Sequence, residues 1–221
     1  IRFDLVKRTS VYLPLLAAAV LTAMGLGVGF FGDDAYHLLV IEGERTPAAD
    51  GSLYTFAMGD PAITQPFIET GPYPWWTVPD LKIVFFRPLS NILHRMDHAL
   101  FGRHAVYWHL HAMLWYLAMV LLWTLVARKT LSAPVAALSA FVFAIDESHW
   151  MPAVWLANRN ALIACVPALF GLHAHIRWRA DKWKPGLPLS IAGYAIGMLG
   201  GEAWLGIASY VAAYELFGRS D

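Results

Sequence analysis

Long apolar runs separated by short polar breaks organise this chain. The first covers residues 11–31, about the length that crosses the hydrocarbon core of a bilayer, and it ends at Gly32-Asp33-Asp34. A second, 105–127, stops at Arg128-Lys129, and a third, 133–145, is followed by Asp146-Glu147-Ser148-His149. A fourth, 153–176, ends in Arg177-Trp178-Arg179, with Lys182 and Lys184 beyond. Residues 187–199 and 203–217 form two more runs, divided by Gly200-Gly201-Glu202. The pattern predicts an all-α integral membrane protein with about six transmembrane helices. The third, fifth and sixth runs are short, so breakage, tilt or partial insertion is expected there.

Between the first two runs, residues 33–103 form a large extracytoplasmic loop containing amphipathic helices. Residues 33–43 have a helical look, with Tyr36, Leu39 and Val40 suitably spaced. Residues 47–79 are rich in Pro, Gly, Asp and Thr and read as a loop ordered by its contacts. Over 87–101, Leu89, Ile92, Leu93, Met96 and Leu100 share one face while Asn91, Arg95 and Asp97 lie elsewhere. That predicts an amphipathic helix lying along the membrane surface.

Charge then sets the expected orientation. The basic breaks at 7–8, 128–129 and 177–184, with Arg219, fall on one side if there are six crossings. The positive-inside rule makes that side the cytoplasm and both termini cytoplasmic. The expected location is a bacterial inner membrane, with the lipid bilayer as first partner. Apolar residues make up 58% of the chain and charged ones 14%, well below the charge of a soluble domain. A formal net charge of zero gives no reason to expect a nucleic-acid partner. Cys165 is the one cysteine, so neither an internal disulfide nor a thiolate metal site is available. No internal repeat is visible, and residues 1–221 read as one module.

This topology gathers Asp33, Asp34, Arg87, His109, Asp146, Glu147, His149, Arg159 and Glu202 on the outer face. Ionisable groups at a membrane boundary are costly to desolvate, so a shared polar cavity is the economical reason for them. Each also has a plainer use. The acidic pair can mark where a helix meets water, and Arg87 or Arg159 can reach to headgroups. Glu202 can break a helix, and His109 can be a packing residue.

The order of motifs resembles the GT-C superfamily of membrane glycosyltransferases. It is most similar to the protein O-mannosyltransferase-like branch, which includes the membrane mannosyltransferases carrying tetratricopeptide repeats. Asp33-Asp34 stands where an acidic pair follows the first span, and Phe86-Arg87-Pro88-Leu89 where a surface helix opens with Arg-Pro-Leu. Trp108-His109 matches an aromatic-His pair, and His149 with Asn158-Arg159-Asn160-Ala161-Leu162 a His-containing outer turn and its step into the next span. Gly201-Glu202 occupies the place of a Lys-Glu pair. The chain departs from that pattern at Asp146-Glu147 and Met151, at Ala112 in place of Asn, and at Gly201 in place of Lys. Family members normally continue with further spans, so the C-terminal part of the family is expected to be missing from this chain.

The resemblance implies inverting transfer of a sugar from a polyprenyl-phosphate donor to an acceptor hydroxyl at the extracytoplasmic face. Asp33 takes the general-base position, and Asp34 orients the acceptor or holds a second proton. Arg87 and Arg159 meet the phosphate, because guanidinium binds its oxygens bidentately. His109, His149 and Glu202 tune the substrate site. Whether a divalent cation assists is left open. The departures favour an alternative, a non-catalytic GT-C-like subunit that packs against other membrane subunits. A further alternative is a metal site: His94 and His98 are four apart on the surface helix, beside Asp97.

Overall fold

The computed structural model describes residues 2–44 and 46–218, with side chains from residue 11 onward. Lys7 and Arg8, as side chains, and Arg219 lie outside what is described, and with them part of the charge pattern used for orientation. The described chain is mostly helical, as the apolar runs require. Its helices are α1 (Arg2–Ala23), α2 (Asp33–Glu42), α3 (Pro61–Glu69), α4 (Pro88–Phe101), α5 (Ala105–Thr130), α6 (Ala133–Ile145), α7 (Glu147–Val154), α8 (Asn160–Ala180), α9 (Gly186–Gly200) and α10 (Trp204–Phe217). Short 3₁₀ turns at Met24–Gly27 and Leu156–Arg159 follow α1 and precede α8.

α1, α5, α6, α8, α9 and α10 form a bundle whose members run up and down between two polar ends. At one end Lys129 of α5 pairs with Asp181 after α8, and Arg179 of α8 with Glu215 of α10. At the other, Arg159 before α8 pairs with Asp97 of α4, and Arg87 pairs with Glu202 between α9 and α10. Among the described residues, two stretches are long and apolar enough to cross a membrane: α5, and the unit Leu156–Ala180 that ends in α8. The apolar parts of α1, α6 and α9 are shorter.

α8 and α9 meet along glycine. A Cβ on Gly193 would lie 2.6 Å from the Pro167 carbonyl oxygen, one on Gly197 2.8 Å from that of Ala164, and one on Gly200 2.7 Å from the Ala164 nitrogen. Backbones approach this closely only where side chains are absent, a habit of helix pairs that lack a hydrophobic driving force. Away from that seam α9 exposes Ile191, Ile196 and Met198, and the outer faces of α1, α5 and α6 expose Leu16, Val20, Leu114, Leu138 and Val142.

Residues 153–158 differ from the sequence expectation. The fourth apolar run does not begin a helix at 153: α7 ends at Val154, a 3₁₀ turn intervenes, and α8 starts at Asn160. The stretch 47–79 is also more ordered than a loop. Asp60 caps α3 by accepting from the Ala62 N–H at 2.9 Å, with Pro61 at the first helical position. β1 (Thr55–Met58) pairs antiparallel with β2 (Lys82–Val84), with a bulge between Thr55 and Ala57.

The polarity of α4 relative to the protein is inverted. Ser90, His94 and Asp97, spaced four and three apart, are buried, whereas Ile92, Met96 and Leu100 are exposed. The helix therefore turns its polar stripe to the protein and its apolar stripe outward.

Candidate active site

The end of the bundle that carries α2 and α4 concentrates the buried charge. Gly32, at φ +56°, allows the sharp turn into α2, and Asp33 and Asp34 occupy its first turn, where the helix dipole favours anions. Asp33 is exposed and Asp34 is buried. The Asp34 carboxylate accepts from the Phe31 N–H at 3.2 Å and from the Ala157 N–H at 2.6 Å. The second bond docks α2 onto the turn before α8. Burial pushes the Asp34 carboxyl up to about 6; the two N–H donors and Arg159 oppose the rise, while Asp33 adds to it.

The same turn carries Arg159, which is fully buried. Its Nη2 donates to Asp97 Oδ2 at 2.5 Å, and Nη1 donates to the Trp108 carbonyl at 3.3 Å. Asp97 Oδ1 lies 2.7 Å from His111 Nδ1, and the Trp115 indole N–H meets His111 Nε2 at 2.9 Å. Indole is only a donor, so His111 Nε2 accepts and Nδ1 carries the proton toward Asp97. A buried acid on α4, three residues on α5 and an arginine before α8 are thus joined in one chain of hydrogen bonds.

Beneath it lies a neutral histidine pair. His94 spans the carbonyls of Ser90 and Leu156, both at 2.9 Å, and burial holds its pKa well below the usual histidine range. Only one of those carbonyls can receive a proton from neutral imidazole. The His37 ring packs edge-on against His94 and Tyr54, at 5.3 and 5.0 Å between centroids. The Leu53 backbone is the polar group that faces the His37 ring, and neither ring nitrogen makes a hydrogen bond of ordinary geometry among the described residues. Burial, then the charges of Arg159 and Arg87, push its pKa down to about 3.

Arg87 closes the other side. Its Nε donates to Glu202 Oε2 at 2.9 Å, and its guanidinium lies 4.4 Å over the Phe85 ring and 5.0 Å over Tyr54. The pair ties the start of α4 to the turn between α9 and α10. Gly201 there has φ +150°, and a Cβ would sit 3.1 Å from the Asn160 side-chain amide. Any side chain larger than hydrogen at this position would be strained. Beside Arg87 is a hollow of about 360 Å³ with Asp50, Ser52, Thr55, Phe86 and Asn91 on its walls.

Asp34, Arg159, Arg87 and Glu202 therefore belong to one polar end. His109 is buried near Arg159, whereas His149 is half-buried and separate, stacked on Phe143 at 4.0 Å with Nδ1 3.1 Å from that residue's carbonyl. Asp146 caps α7 through the Ser148 N–H at 2.9 Å. The candidate pair His94 and His98 diverges, since His98 turns to Glu42 at 3.4 Å and His94 to the two carbonyls. No group of three or more metal-ligating side chains occurs among the described residues. Sequence reasoning did not single out Asp97, His111, His37 or Tyr54 as site residues. The Ser90-His94-Asp97 stripe was the available signal for the first, because polar residues at helical spacing share a face. No protein-family model, curated protein or solved structure matches this chain.

Proposed function

We propose that the chain is a multi-pass membrane module with six crossings and both termini cytoplasmic, set in a bacterial inner membrane. Its inferred reaction transfers a sugar from a polyprenyl-phosphate donor to an acceptor hydroxyl at the outer face. The membrane part is supported by the exposed apolar faces of α1, α5, α6 and α9 and by the outward apolar stripe of α4. A helix with its polar side on the protein and its apolar side outward suits an interfacial position.

The observation that carries the transfer reading is the Asp34–Ala157 bond, which brings the acidic start of α2 to the turn bearing Arg159. Asp33, left exposed beside it, accepts the proton of the acceptor hydroxyl as general base. The hydroxyl oxygen attacks the anomeric carbon, the bond from that carbon to the phosphate oxygen breaks, and the electron pair leaves with the lipid phosphate. Attack opposite the leaving group inverts the configuration. Arg87, partly accessible beside the hollow, meets the growing phosphate charge, and Glu202 holds its guanidinium in place. Arg159, sealed against Asp97, positions the turn rather than touching phosphate.

A second reading, a non-catalytic subunit with the same architecture, is favoured by one feature. Both Asp34 oxygens are committed to backbone donors, and the hollow beside Arg87 is not lined by Asp33. The test is transfer of radiolabelled sugar from polyprenyl phosphate by the chain in lipid vesicles, comparing native protein with Asp33→Asn and Arg87→Gln. Loss of a general base should lower transfer by about 10²- to 10⁴-fold. Equal transfer by native and Asp33→Asn protein removes Asp33 from the mechanism. Absence of transfer by native protein favours the subunit. A parallel assay in EDTA reads any need for a divalent cation.

A further inference from the structure

The end of the bundle opposite Asp34 holds a cavity of about 920 Å³ between α5, α8 and α10. Three cations line it, Lys129, Arg179 and Lys182, and no carboxylate does among the described residues. Asp181 accepts from Lys129 at 2.7 and 2.9 Å, and Glu215 accepts from Arg179 at 2.8 Å. Lys182 is exposed. The remaining wall is apolar and aromatic, including Trp123, Tyr210 and Tyr214. Trp123 precedes Thr130 by seven residues, so the wall extends about 10 Å along the helix axis away from the cations. Trp123 and Tyr210 meet edge to face, 5.9 Å between centroids, and bridge α5 and α10 at that depth.

We propose that this cavity binds one anionic phospholipid, its phosphate among Lys129, Arg179 and Lys182 and an acyl chain along Trp123 and Tyr210. A cationic mouth with an apolar wall of helix-turn length matches an amphiphile of that polarity. Charge complementarity selects an anionic headgroup over a zwitterionic one. This cavity lies at the bundle end that carries Arg128, Lys129, Arg177, Arg179, Lys182 and Lys184, the end assigned to the cytoplasmic leaflet, where anionic lipids attract basic side chains. The inference rests on the membrane reading proposed above but not on sugar transfer.

The test is native mass spectrometry of the chain purified in mild detergent and exposed to phosphatidylglycerol or phosphatidylcholine of equal chain length. Carbonate-resistant association with membranes is measured first, so that failure of the membrane reading is seen separately. One retained phosphatidylglycerol in preference to phosphatidylcholine is expected. Retention should weaken roughly fivefold in Lys182→Gln and further in Lys129→Gln/Lys182→Gln, from about 1 kcal/mol per surface cation. Lys82→Gln, an exposed cation on β2 at the far end, should leave it unchanged. Because Lys182 is exposed, its replacement leaves the packed interior intact. Equal retention of the two lipids, or retention indifferent to Lys182→Gln, overturns the proposal. Full competition by inorganic phosphate also overturns it, in favour of a simple anion site.

Discussion

Asp97→Asn is the most informative single change, because it removes one charge from the buried network and keeps the shape. Asp97 and Arg159 are both fully buried, with 2.5 Å between Oδ2 and Nη2, and the other carboxylate oxygen is 2.7 Å from His111. Asparagine can still accept from Arg159. Its amide nitrogen, however, would face the donor side of His111, and the guanidinium would be left without a counter-charge. Breaking a buried pair from one side costs about 3–5 kcal/mol. At roughly 2–4 °C per kcal/mol for a chain of this size, melting should fall by about 6–20 °C. Thermal unfolding in mild detergent, followed by near-UV circular dichroism, measures it. The paired replacement Asp97→Leu with Arg159→Met removes both charges and should recover most of the loss, since apolar substitutes for a buried pair are often neutral. An Asp97→Asn protein within about 1 kcal/mol of native would refute the reasoning, as would a double variant as unstable as the sum of its singles.

Two further outcomes follow from packing and from protonation. Gly193→Ala places a methyl 2.6 Å from the Pro167 carbonyl and 2.8 Å from Gly171 Cα, so α8 and α9 must separate; a loss of about 1–3 kcal/mol is expected in the same unfolding assay. Gly206→Ala, with nothing within 4 Å of the new methyl, should be neutral or stabilising. Acidification from pH 6.5 toward 3 should weaken the fold, because the unfolded chain takes up a proton that folded His37, with its pKa depressed to about 3, refuses. At pH 5 the loss from His37 is about 2 kcal/mol, and His37→Phe should flatten the slope of denaturant stability against pH. Asp34 acts in the opposite sense. Its carboxyl is raised to about 6, so its contribution is fully present below about pH 4 and is lost as pH rises through 6. An unchanged slope in His37→Phe would show that His37 is solvated in the folded protein.

Much of the helical layout is readable from hydropathy alone. Runs at 133–145, 187–199 and 203–217 became α6, α9 and α10 to within a residue at each end, because nothing else competes for those segments. The amphipathic period over 87–101 likewise became α4. The fourth run was misplaced at its start because hydropathy averages over the very residues that bend. Ala153, Val154, Leu156 and Ala157 are apolar, yet the backbone turns so that the Ala157 N–H reaches Asp34 and Arg159 folds in against Asp97. In 47–79, Pro and Gly density concealed α3, although the Asp60-Pro61 start marked a capped helix.

The site was legible by residue type but not by partner. Asp34, Arg87, Arg159 and Glu202 stand out in sequence because charge beside an apolar run is costly. Their partners lie far along the chain: Asp97 is 62 residues from Arg159, and Glu202 is 115 from Arg87. The orientation of α4 decides which partner Arg159 finds. In water the apolar face of such a helix would turn inward and Asp97 outward. Here Ile92, Met96 and Leu100 face out and Asp97 faces Arg159, so the two stripes exchange roles together. On the proposed membrane reading, hydrocarbon around that face makes the exchange favourable and frees an acid to neutralise a buried arginine at this end of the bundle. Transfer of the chain into water should therefore loosen the Asp97–Arg159 pair even where the bundle survives. Hydrogen exchange at Trp108 and Ala157, compared between lipid nanodiscs and a water-soluble polymer, reads this directly, and equal protection in the two would break the link between the bilayer and the buried charge.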